Sequence, residues 1–200
     1  DIDYYQYRSC SNNPNIDGFC TEIFTTNRTT TSRTVNNSNI TFWWQVRGID
    51  FAGNIGAWTP ARKAVMDNIA PTVEITSHTQ GQFVTGTQTV SGLVEDLNLS
   101  HYWFVVHNSN GQKVAGPSTV THSGPTATPT FQWNTTNVPD GTYTIKLEAR
   151  NLADNKDSGS IDWVSVIVDN TPPVVELTSP EQGDYVKGTV DIRGLVSDDN

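Results

Sequence analysis

Apolar and polar residues alternate along most of this chain, and the alternation has a period of two. In VPDGTYTIKLEARN, residues 138–151, Tyr143, Ile145, Leu147 and Ala149 fall on one side, with Thr144, Lys146 and Glu148 on the other. The turn Pro139-Asp140-Gly141 precedes this strand. TVEIT at 72–76 alternates behind Pro71 and predicts a first strand of a unit. Thr87–Val94 predicts a second, with Gly81 and Gly86 framing the turn between them. His101–His107 is aromatic and β-branched and reads as a third strand. Asn108-Ser109-Asn110-Gly111 predicts a hairpin turn into Gln112–Ala115. Residues 116–130, rich in Ser, Thr, Pro and Gly, predict a loop with an edge strand. Thr130–Asn134 and Ile161–Val168 complete the set, and no segment carries a helical period of 3.6. About seven short strands with regular turn signals predict an all-β, two-sheet sandwich.

The pattern repeats. Residues 65–98 lie over residues 167–200 without a gap, an offset of 102, and 17 of the 34 aligned positions are identical. Such self-similarity marks an array of one structural unit. The identities fall on turn residues (Asp67/Asp169, Pro71/Pro173, Gly81/Gly183, Gly86/Gly188, Gly92/Gly194) and on alternating apolar positions, as a shared backbone path requires. IDFAGN at 49–54 sits over RNLADN at 150–155. The expected organisation is therefore the later part of one sandwich over 1–66, a complete one over 67–168, and the first strands of another over 169–200. Two incomplete units and an initial Asp1 predict a longer natural polypeptide. Cut away from what would complete them in cis, residues 169–200 of one molecule could in principle complete residues 1–66 of the next, an association of truncated ends and not a function.

Composition narrows the function. A net charge of −9, with no basic run, excludes the clustered cations that nucleic acid rewards. Apolar runs are only a few residues long, far from the ~20 of a membrane span. Cys10 and Cys20 bracket a loop rich in Asn, Pro and Gly. They read as a local disulfide pinning a hairpin in an oxidising compartment, the alternative being two free thiols. No nucleophile–base–acid grouping follows from the predicted topology, so no catalytic residue is expected. His101 and His107, six residues apart on one strand, stand about 20 Å from one another.

DNTPPVVELTSPEQGDYVKGTV…GLVSD and VPDGTYTIKLEARNLADN resemble bacterial Ig-like domains, the tandem modules of large surface and secreted proteins. FWWQVRGIDFAGNIGAW at 42–58 is similar to the end of a fibronectin type III domain. The resemblance implies tandem sandwiches, one complete and two partial, in a bacterial extracellular or cell-surface protein. It implies a non-catalytic stalk or adhesin repeat, or else an accessory spacer or carbohydrate-binding module of a secreted polysaccharide-degrading enzyme or peptidase. Expected partners are neighbouring Ig-like domains of the same chain and a cell-surface protein or glycan, with no nucleic acid and no membrane span.

The resemblance also assigns residues. Tyr143 takes the place of a tyrosine corner, its hydroxyl capping nearby backbone; the first unit has Phe42 there. Trp103 resembles the core Trp of Ig folds. Aligning Tyr5 and Tyr7 with Trp103 and Val105 points those two inward and leaves Tyr102, Phe104 and Val106 outward or toward a neighbouring module. In such a sandwich the linker and the loops after the second strand and before the last share one end. That topology gathers Asp67, Glu95, Asp96, Asn98, Asp154, Asn155 and Asp157 at one junction. Asp169, Asp198 and Asp199, with Asp140, partly recreate the set at the next. Hard oxygen donors from separate segments suit interdomain calcium, although Asp and Asn are also ordinary turn residues.

Overall fold

A computed structural model describes residues 1–11, 20, 22–27 and 40–198. It is almost wholly β, and it divides into two compact units: residues 1–69 with 153–155, and residues 70–152 with 156–200.

The second unit contains the sandwich. Its first sheet brings β5 (Thr72–Ile75) against β7 (Thr87–Glu95). β7 pairs in turn with β11 (Thr126–Ala127) and β12 (Thr130–Asn134). The second sheet runs β10 (Val120–Thr121), β8 (Leu99–Asn108), β13 (Gly141–Asn151), β14 (Ile161–Val168) and β6 (Gln82–Val84), with β9 (Lys113–Ala115) also on β8. The sequence expectation of a plain turn at Gly81–Gly86 misses β6. Three residues are too few to show a period, yet the leading strand crosses between sheets there. Gly81 N–H donates to the Ser165 carbonyl (2.7 Å), and β6 then runs parallel to β14. The crossing buries His78, whose imidazole pKa is lowered by desolvation and partly raised back by a hydrogen bond with Gln88. The edge strand expected within 116–130 is two short ones, β10 and β11, which edge opposite sheets.

The two sheets enclose one apolar core. Val90 and Val94 from β7 and Trp133 from β12 meet Phe104 and Val106 from β8, Ile145 and Leu147 from β13, and Val166 from β14. Tyr143, Ile145, Leu147 and Ala149 are all buried, as their alternation predicts.

Trp103 is a correction. It is partly exposed on the outer face of β8, whereas Phe104 and Val106 are 1% and 0% exposed. Val105 is also buried, but beneath that outer face. The error is a register slip of one residue. Tyr5 pairs with Gly48 and Tyr7 with Val46, while Tyr102 pairs with Ala149 and Phe104 with Leu147. Tyr5 and Tyr7 therefore correspond to Tyr102 and Phe104, and a slip by one exchanges every side chain between faces. The indole in the core is Trp133, edge-on to Tyr143 at 5.7 Å.

The first unit is a four-stranded sheet in the order β2 (Glu22–Asn27), β1 (Ile2–Cys10), β3 (Ile40–Asp50), β4 (Arg62–Met66). β1, β3 and β4 correspond to β8, β13 and β14 of the sandwich, with Phe42 in the place of Tyr143. Arg8 and Arg47 approach the Trp58 ring at 4.5 and 4.4 Å, and each donates its Nε–H to a glutamine, Gln45 and Gln6.

Residues β15 (Val174–Ser179) and β16 (Arg193–Ser197) form a separate two-stranded sheet. Leu177 and Val196 are 74% and 71% exposed, where their repeat counterparts Ile75 and Val94 are buried. Two strands cannot enclose a core, so the same apolar pattern remains open to solvent.

Candidate functional site

The residues that sequence reading gathers for function fall into three places: a disulfide-closed hairpin, a corner with its outgoing linker, and the acidic turns.

Cys10 ends β1 and bonds Cys20 across the loop leading to β2, with Cα atoms 4.6 Å apart. The expected disulfide is present, and it closes a hairpin between consecutive antiparallel strands.

At the corner, Tyr143 is buried as the third residue of β13, and its hydroxyl donates to the Pro139 carbonyl at 2.8 Å. Burial, and secondarily the Asp140 carboxylate, raise the phenol pKa. The same turn holds the linker. Asp140 Oδ1 accepts the Asn170 backbone N–H at 2.8 Å, and Oδ2 accepts the Thr171 hydroxyl. The Asn170 side chain turns back to donate to the Thr135 carbonyl at 3.0 Å. Thr135 Oγ1 donates to the Gly86 carbonyl (2.9 Å) and lies 3.1 Å from Asn170 Oδ1. Thr135 is wholly buried. The Thr171 hydroxyl, followed by the backbone bond from Asn170, lowers the Asp140 pKa, so the anion is the clamping form. Asn170-Thr171-Pro172-Pro173 is legible in sequence as a short, extended linker, but its ties to Thr135 and Asp140 are not, because the partners come from separated segments. Asp140 is legible in the sequence as a turn residue and as an acidic group near a linker, not as the acceptor that holds that linker.

Four of the acidic side chains, Asp67, Asp96, Asp157 and Asp169, accept backbone N–H groups of their own turns. Asp67 Oδ1 accepts the Ile69 N–H (3.1 Å), and Asn155 Nδ2 donates to the Asp67 carbonyl (2.7 Å). Asp96 Oδ1 accepts the Asn98 N–H (2.6 Å), and Oδ2 accepts from Asn151 Nδ2 (3.4 Å). Asp154 adopts a left-handed φ of 61°. Asp157 caps the 3-10 turn Ser158–Ser160 through the N–H groups of Gly159 and Ser160. Asp169 Oδ1 accepts the Thr171 N–H (3.1 Å). Asp198 follows β16, and Asp199 lies outside the described residues. Among the described residues, no three His, Cys, Asp or Glu side chains converge as a metal centre would require. These are the Asx-turn and capping roles that Asp and Asn fill generally.

Residues 71–147 match the sequence model of the family described as Bacterial Ig domain, and residues 127–200 match Bacterial Ig-like domain (group 3). This stretch of the chain is bacterial Ig-like. The two matched segments overlap, and the second runs on from the sandwich through β16. No curated protein matches. Among solved structures, the chain is similar to the fibronectin(III)-like modules of Clostridium thermocellum CbhA. The identity is 14% and the TM-score 0.42, over 84% of this chain and 79% of that one; so loose a likeness carries no assignment. Bacterial Ig-like domains are in general non-catalytic modules of multidomain proteins, and together with a disulfide they are typical of extracellular ones. No helix among the described residues is long and apolar enough to cross a membrane.

Proposed function

We propose that this chain is a spacer segment of a bacterial extracellular protein, a stalk whose Ig-like units hold another part of the molecule away from its anchor. The clamp at the linker supports this reading most directly. A flexible tether needs no tertiary hydrogen bonds at its first residues. Here Asn170 and Thr171 are tied to Asp140 and Thr135 before the chain enters Pro172-Pro173. Proline fixes φ and favours extended backbone in the residue before it, so the joint is restricted on both sides. Adhesion by the repeats themselves is the finer form of the same role.

The test is small-angle scattering on one, two and three copies of residues 67–168 joined by the native linker. A stalk predicts a maximum dimension that grows in proportion to copy number. Growth that falls well below proportionality would reject it. A second reading, an accessory module of a secreted polysaccharide-degrading enzyme, is favoured by Trp163, which is 57% exposed on the outer sheet face.

A further inference from the structure

The outer face of the β8–β13–β14 sheet is unlike the rest of its sandwich in charge and in aromatic content. Residues 67–168 contain four Lys and Arg: Lys113, Lys146, Arg150 and Lys156. Lys146 and Arg150 are on the even-numbered, outward side of β13, opposite to buried Ile145, Leu147 and Ala149. Lys113 pairs beside His107 at the sheet edge. Lys156 reaches over the face from the following turn, its Nζ 2.6 Å from Glu148 Oε2 and 5.9 Å from the Trp103 ring centroid. The strands of this sheet carry two carboxylates. Asp162 is committed to the backbone N–H groups of Ile75 and Trp163, which leaves Glu148 alone on the outer face. Glu148 is shared between Lys156 and Lys146 (3.6 Å), so the centre of the face keeps a positive excess within a chain of net charge −9.

Two indoles flank that centre. Trp103 pairs with Glu148 on one side, and Trp163 pairs with Lys146 on the other. Trp103 is stacked with His101 at 5.7 Å, which holds the ring in place. Two interstrand spacings and a two-residue step separate the indoles by roughly 12 Å. Stacking surfaces so spaced on one sheet face suit a linear polymer of rings, laid across the strands, better than a single small molecule.

We propose that this face binds an acidic polysaccharide, with pyranose rings stacked on Trp163 and Trp103 and carboxylates paired with Lys146 and Lys156. Carbon–hydrogen faces of sugars pack on indole, and the cations supply charge-assisted hydrogen bonds to uronate oxygens. Single-stranded nucleic acid also combines stacking with charge, but it carries a phosphate at every unit, and the strong negative charge of the whole chain opposes so dense an anion. An extracellular, disulfide-bonded segment meets acidic glycans at cell surfaces and in matrices. The assignment rests on the extracellular part of the spacer reading and adds a ligand to that role.

Titration calorimetry of the full 200-residue chain decides the matter, with hexagalacturonate, maltohexaose and a dT10 oligonucleotide as separate probes. Hexagalacturonate should bind, and the affinity should fall as salt rises. Trp163→Ala and Lys146→Gln should each weaken it about tenfold, the loss expected for one stacked ring or one charged contact. Both side chains are solvent-facing, and amide NMR spectra confirm that the variants stay folded. Trp44→Ala in the first unit should leave binding unchanged. Equal affinity for maltohexaose, tighter binding of dT10, insensitivity to both substitutions, or no binding of hexagalacturonate each overturns the proposal. Absence of binding leaves the spacer reading to the scattering test, which is independent of ligand.

Discussion

Gly92 is identical in the repeat, as Gly194, and the structure gives the cause. A Cβ at position 92 would lie 2.5 Å from Leu147 Cδ2, 2.8 Å from the Glu74 carbonyl oxygen and 3.3 Å from Phe104 Cζ. At position 194 it would meet the Glu176 carbonyl at 2.7 Å. Ordinary carbon contacts are about 3.5–4.0 Å, so Gly92→Ala forces movement. The Leu147 methyl has no space to swing into, since Leu147 and Val90 are 0% exposed and Phe104 1%. The Glu74 carbonyl cannot retreat without opening the β5–β7 ladder. Overpacking of this kind costs about 1–3 kcal/mol. Against it, Gly→Ala restricts the unfolded chain and returns about 0.4–1 kcal/mol. The net expectation is a loss of about 1–2 kcal/mol. Hydrogen exchange of β7, β8 and β13 peptides in the full chain reads the unfolding free energy of this sandwich alone. Leu147→Val should recover part of the loss in the double variant, because the two sites touch. Unchanged or raised stability in Gly92→Ala would refute the close approach.

Further expectations rest on single contacts. Tyr143→Phe should cost about 1 kcal/mol, one hydrogen bond, and leave the unit folded, since Phe42 fills that place in the first unit; calorimetry that shows no change would remove the corner's role. The Asp140 pKa is lowered, so its clamp is present above the ordinary carboxylate range and is lost as pH falls through its folded value. Exchange protection of the Asn170 amide should therefore hold at neutral pH and vanish in acid, and protection that does not vary would contradict it. Reduction of Cys10–Cys20 should destabilise the first unit by about 2–3 kcal/mol, read by urea unfolding with and without reductant. Because Asp67, Asp96, Asp157 and Asp169 accept backbone N–H groups, chelation by EDTA should leave thermal unfolding unaltered; a lowered melting temperature would support interdomain calcium instead. The 200-residue chain should self-associate with concentration through exposed Leu177, Ile192 and Val196, and deletion of 169–200 should abolish this in analytical ultracentrifugation.

Much of the fold is legible because a period of two is a direct readout of a half-buried strand. β12 and β14 begin and end where the apolar pattern does, and the inward side of β13 follows from alternation alone. β8 shows the limit. Its residues 102–106 are aromatic or aliphatic on both faces, so alternation cannot say which side is in. A one-residue alignment error then placed Trp103 in the core. β6, three residues long, has no period to read, and its parallel pairing is a tertiary fact. At the site, the disulfide is legible from loop chemistry. The clamp is not, because Gly86, Thr135, Asp140 and Asn170 are scattered in sequence, and each alone resembles an ordinary turn residue. Acidic residues are readily noticed, and the backbone N–H groups that consume them are invisible until the turns are seen.

The spacer account stands most directly on the linker leaving the sandwich in a fixed direction. Double electron–electron resonance between spin labels at exposed Thr142 and Lys187, on either side of Asp169–Pro173, measures this. The account predicts a single narrow distance distribution that broadens in Asp140→Ala and in Asn170→Ala. A broad distribution in the unaltered linker, or one indifferent to both substitutions, would contradict it.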